Sequence, residues 1–165
     1  MDVLLRTTQQ HHVHLSSMAD QKANIIIAAT SVLFTLSAGY LSSDRLLWGL
    51  VTLCGFSLVA LAFAILSVTP LFRSAPDVDF FNGSFNPLFF GHFAELSRAQ
   101  YYQMINEILR EDHSVYEAIV RDVYNLGKLL KTRKYKYLRL SYQVFLAGIL
   151  VSGPLIIIQL LLERL

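Results

Sequence analysis

Three stretches of this chain, residues 23–41, 46–72 and 142–162, run without a single charged side chain. A hydrocarbon layer about 30 Å thick takes roughly 20 helical residues at about 1.5 Å each, and each stretch is of that order. Strands are a poor solution for such segments, because an open sheet in lipid leaves backbone N–H and C=O groups unpaired. Only Ser42, Ser43, Asp44 and Arg45 separate the first two stretches, enough to reverse direction, so they are expected to form an antiparallel helical hairpin. A composition that is 54% hydrophobic and 16% charged over 165 residues exceeds what an ordinary soluble domain carries. The expected fold class is therefore an all-α membrane protein with three transmembrane helices and a small helical cytoplasmic region. Its third helix is expected to be long and continuous with a cytoplasmic stalk. The parts are a leader helix over 1–22, the transmembrane hairpin over 23–72, a cytoplasmic loop and helices over 73–137, and the third transmembrane helix over 138–165. A cleaved signal peptide does not fit, since the leader carries Asp2 and Asp20 beside Arg6 and Lys22 and precedes a core longer than about 15 residues.

The formal net charge of +2 gives no basic excess that points to nucleic acid, so charge informs only by its placement. Lys128, Lys131, Arg133, Lys134, Lys136 and Arg139 crowd the approach to the third span with no acid among them, and Arg6, Lys22 and Arg73 lie on the same side. The opposite side holds only Arg45 and Arg164. Because Lys and Arg accumulate in cytoplasmic loops, the amino terminus and central segment are expected inside, and the short loop and carboxyl terminus outside. A single cysteine, Cys54, excludes an internal disulfide framework and a four-cysteine zinc module.

The central segment opens as turn and loop, with Pro70, Pro76, Asn82, Gly83, Pro87 and Gly91. Phe80, Phe81, Phe85, Phe89, Phe90 and Phe93 fall within it, and such rings need a surface, either neighbouring helices and the lipid interface or an apolar ligand. From Glu95, Tyr101, Met104, Ile105 and Ile108 recur at helical spacing, giving one short amphipathic helix over 95–112. Ser114 and Glu117 have capping-box spacing and mark the start of the next helix, whose apolar face runs through Tyr116, Ile119, Val123, Leu126 and Leu130 without a stop signal. Unbroken from Val115 to Leu162 it would be about 70 Å long, with Pro154 in its spanning part. The leader and the short helix are candidates to cover its stripe. Second copies are the other candidate, because Ala28, Ser31, Gly39, Gly148, Ser152 and Gly153 permit close helix approach and homo-oligomerisation.

No catalytic constellation emerges, so the chain is read as no enzyme. His11 and His14 share a helix face with His12 between them, but two ligands do not make a metal site, and no carboxylate or cysteine completes one. No glycine loop opens a helix after a strand, and Cys54 and Ser57 lack a base. Two polar constellations suit ligand binding instead. Asp20, Lys22 and Asn24 stand where the chain enters the first span; their competing roles are a helix-start acid and an interfacial anchor. Arg121, Tyr124, Asn125 and Lys128 follow one another at spacings of one, three and four, a cation beside a ring that suits a phosphate-bearing base; the competing reading pairs Arg121 with Glu117 on a solvated face.

The strings HLSSMADQKANIII, NPLFFGHFAELS and VRDVYNLGKLLKTRKYKYLRLSYQVF, placed around a two-span hairpin, resemble the transmembrane effectors of Pycsar antiphage systems over nearly the whole chain. The resemblance implies an inner-membrane antiviral effector without cofactor or nucleic-acid partner. It would be paired with a pyrimidine cyclase, activated by cyclic UMP or cyclic CMP, and would kill the infected cell by disrupting its membrane. Some relatives fuse the module to a phosphohydrolase domain, which is absent from these 165 residues. The alternative is a non-catalytic scaffold whose basic turn, Lys128 to Arg139, binds anionic lipid or a cytoplasmic partner.

Overall fold

A computed structural model describes residues 2–41, 48–70 and 85–162, all helix or short connection with no strand among them. The elements are α1 (Asp2–Leu41), α2 (Trp48–Val68), α3 (Phe90–Phe93), α4 (Arg98–Ile108), α5 (Asp112–Leu129), a π-helical turn (Leu130–Lys134) and α6 (Tyr135–Leu162). Leader and first span are one helix, α1, because nothing between Val3 and Leu41 breaks it: that interval holds no proline, and its one glycine, Gly39, lies in the last turn. The expected long helix is continuous over Asp112–Leu162, with Pro154 inside α6. Phe80, Phe81 and the loop residues Pro76, Asn82 and Gly83 lie outside the described residues, as do Arg45, Arg73 and Arg164.

The chain divides into two compact units, one of residues 1–14 and 70–130, the other of residues 15–69 and 131–165. In the second unit α2 runs antiparallel to α6. Gly49 lies against Ile156, Phe56 against Gly148, and the Ser141 hydroxyl donates to the Ala60 carbonyl at 2.7 Å. The approach is close because the facing residues are small. Gly49, Ser57, Ala60, Ala64 and Ser67 are buried on α2, and Ser141, Gly148 and Ser152 on α6. A Cβ on Gly49 would meet the Ile156 backbone nitrogen at 2.8 Å, and one on Gly148 the Phe56 Cβ at 2.6 Å. On α1 the buried positions Ala19, Ala23, Ile26, Thr30 and Ser37 keep heptad-like spacing, and Ala19 and Ala23 join Leu138 in a buried cluster flanked by Val68 and Tyr135. Tyr135 and Tyr142 donate to the carbonyls of Leu15 and Lys22, so α1 and α6 run parallel.

Large apolar side chains face the other way. Ile25, Val32, Leu36, Leu58, Leu146, Leu150, Ile157 and Leu161 are each more than half exposed while serines and alanines fill the interior. That is the reverse of a water-soluble core, where bulky apolar groups are buried, and it matches helices packed by small residues inside hydrocarbon. Among the described residues, Val3–Tyr40, Trp48–Val68 and Asp112–Leu162 are the three helices long and apolar enough to cross a membrane.

In the first unit the amino-terminal turns of α1 pack along α5, with the His12 ring over Gly127 and Gln9 bonded to Asp122. Two helix starts differ from expectation. α4 begins at Arg98 behind a capping box in which Ser97 Oγ accepts from Gln100 N–H and Gln100 Oε1 from Ser97 N–H. The expected box at Ser114 does not form. α5 starts three residues earlier, at Asp112 rather than Val115, with a carboxylate that suits the positive helix end, after an extended Glu111 without a side-chain cap.

Candidate functional site

Asn-Pro punctuates the chain at residues 86–87, and the structure turns there. The turn is held by one fully buried side chain. Asn86 Nδ2 donates to Asp122 Oδ1 at 2.8 Å, Asn86 Oδ1 accepts from Leu88 N–H at 3.0 Å, and the Asn86 N–H donates to His92 Nδ1 at 2.9 Å. The other oxygen of Asp122 accepts from Gln9 Nε2 at 2.8 Å, so one carboxylate ties α1, α5 and the turn together. The rings of Phe85 and Phe89 lie 5.5 and 5.2 Å from that of His92, whose pKa is lowered from its ordinary value by burial, with Glu95 opposing the shift.

Between this turn, α4 and α5 is a cleft of about 130 Å³ lined by Phe85, Pro87, Met104, Glu107, Ile108, Ser114, Glu117, Ala118 and Arg121. Its walls are apolar and its polar groups are two carboxylates, one hydroxyl and one guanidinium. Arg121 Nη2 donates to Glu117 Oε1 at 2.8 Å, the i, i+4 pairing that its spacing allows, and Nη1 donates to the Phe85 carbonyl at 3.2 Å. Phe85 thus supplies both a wall of the cleft and a bond to its cation.

The remaining residues singled out by sequence fall in two places. Tyr124 is exposed on α5, Lys128 Nζ lies 6.0 Å from its ring centroid, and Asn125 beside it is half-buried. With Arg121 these belong to the first unit. Asp20, Lys22 and Asn24 belong to the second, where Lys134 Nζ donates at 2.7 Å to both oxygens of Asp20 and to Ser16 Oγ. Asp20 is therefore one side of an interhelical ion pair, while Lys22 and Asn24 are exposed. The pairing could not be read from sequence because Lys134 is one of six cations in a row of twelve residues, and only the helix packing selects it. Met104, Ser114 and Glu107 were not anticipated as cleft residues; the Asn-Pro turn beside a run of phenylalanines was the available signal. Among the described residues no group of three His, Cys, Asp or Glu side chains is placed to hold a metal ion.

The family model described as Pycsar effector protein domain matches residues 3–162. No curated protein and no solved structure matches the chain.

Proposed function

The chain belongs to the Pycsar effector family, and from that premise we propose that it is an antiphage effector that senses a cyclic pyrimidine nucleotide, cyclic UMP or cyclic CMP, and answers by breaching the inner membrane. The observation that carries this reading is the presence, in one chain, of an inside-out, small-residue helix bundle and a helical head whose cleft has apolar walls and the Arg121 guanidinium at its rim. The cations on residues 128–139 orient the head to the cytoplasm, where a cyclase product accumulates. A ligand shifts a membrane assembly only through unequal affinity for two of its states. Arg121 supplies the charge for the phosphate, with Tyr124, Asn125 and Lys128 on the same helix as further contacts. Asp20, Lys22 and Asn24 act at the membrane entrance, Asp20 through its pair with Lys134. Outward-facing Ala28, Thr35 and Gly39 on α1 leave room for a second copy to approach, which supports self-association in the bilayer.

Dye entry into cells expressing the protein, with and without a cyclase supplying either nucleotide, tests the reading. Permeability should rise only when one of the two nucleotides is present. Cells that stay sealed with both would remove the proposal, and cells that leak equally without either would remove its dependence on a signal.

A further inference from the structure

We propose that the cleft beneath the Phe85–Pro87 turn is the ligand seat of the head, and that Glu117 occupies Arg121 there as a built-in competitor for the ligand's phosphate. This rests on the reading that the protein binds a cyclic pyrimidine nucleotide, and adds where it sits and what it must displace. Phe85, Pro87, Met104 and Ile108 offer apolar walls to a flat heterocycle. At about 130 Å³ the cleft is smaller than the roughly 300–1,000 Å³ that encloses a whole small ligand, so it takes one ring and leaves the sugar and phosphate at the rim. The rim holds Arg121, whose planar guanidinium matches two oxygens of a phosphodiester.

That guanidinium is already engaged, by the Glu117 carboxylate at 2.8 Å and the Phe85 carbonyl at 3.2 Å. Two carboxylates against one guanidinium give the lining a net charge of −1 (1 − 2), so an anion enters favourably only by drawing Arg121 away from Glu117. Glu117 is more than half exposed and can turn into water when it loses its partner. The same exchange breaks the Arg121 bond to the Phe85 carbonyl, next to Asn86 and its bond to Asp122, so occupation of the seat is felt by the turn.

The test is equilibrium binding of cyclic CMP and cyclic UMP to the purified full chain in detergent. Arg121→Ala should weaken binding at least about tenfold. Glu117→Gln, which keeps the shape and removes the charge, should tighten it by about fivefold, the scale of one partly exposed ion pair. Met104→Trp should block it by filling the cleft. If the unaltered protein binds neither nucleotide, the functional reading itself is wrong. If it binds one but Glu117→Gln leaves affinity unchanged or lowers it, the competitor is refuted; binding that survives in a folded Met104→Trp refutes the seat. Should Met104→Trp fail to fold, the isosteric change at the exposed Glu117 still decides.

Discussion

Asn86 is 2% exposed, and its peptide N–H, side-chain oxygen and amide nitrogen each have a partner. The hydrogen bond that the Asn86 N–H donates to His92 needs a lone pair on Nδ1, which only the neutral imidazole provides. Burial favours the same form, so the folded pKa of His92 lies below its ordinary value of 6.5. Between the two values the unfolded chain holds more protons than the folded one. The stability from this site is therefore complete above pH 6.5 and is lost as pH falls through the folded value. Chemical unfolding in detergent at pH 8 and pH 5 should show this loss, and His92→Asn, which keeps an acceptor near the Nδ1 position, should remove that part of the pH dependence. Asp122 is the partner on which the turn depends most. Asp122→Ala leaves the buried Asn86 amide without its acceptor and should cost about 1–3 kcal/mol, seen as an earlier unfolding midpoint of the head.

Among the helices, the tightest constraint is between α2 and α6, and it yields a contrast within one residue type. Gly49→Ala and Gly148→Ala place a methyl group against backbone or Phe56 of the facing helix, where overpacking typically costs about 1–3 kcal/mol. Gly55→Ala meets nothing within 4 Å and should instead be neutral or gain up to about 1 kcal/mol from helix propensity. Unfolding of each variant in mixed micelles, followed by circular dichroism, should rank them in that order. The three spanning helices were legible in the sequence because uncharged runs of membrane length favour helix in lipid, whereas the fusion of leader and first span into α1 and the short α3 were not. The π-turn was not, because one extra residue in a turn leaves no mark in composition. It spans Leu130–Lys134, and its last residue, Lys134, together with Leu138 and Ser141 beyond it, faces α1 or α2. Site legibility followed the same division. Arg121 could be singled out as a cation beside the Tyr124 ring, and its competing partner Glu117 was visible because it is four residues away, whereas Phe85 and Asp122, 36 residues apart from Arg121 and Asn86 respectively, meet them only through the fold.

Across the molecule the distribution of side-chain size decides which solvent the second unit needs. Serines and alanines fill its interior, and leucines and isoleucines cover its outside. Water would disfavour that arrangement, since each exposed leucine or isoleucine forgoes about 1.5–3 kcal/mol of burial, whereas hydrocarbon imposes no such penalty and rewards close approach of small residues. The buried, unpaired hydroxyls of Ser57 and Ser67 sit in that close-packed interior, where bulkier side chains would hold the helices apart. Leu150, 64% exposed on α6, is a direct probe of the surrounding medium. If lipid surrounds it, Leu150→Arg places a charge in the apolar layer at about 2.5–3.5 kcal/mol, whereas Leu150→Ala is tolerated because no protein atom depends on the leucine's bulk. Alkaline extraction of membranes should then release a measurable share of the Leu150→Arg protein and retain both Leu150→Ala and the unaltered chain. In an aqueous setting the order would invert, with arginine improving solubility, so equal or better retention of Leu150→Arg would mean that this face does not meet lipid.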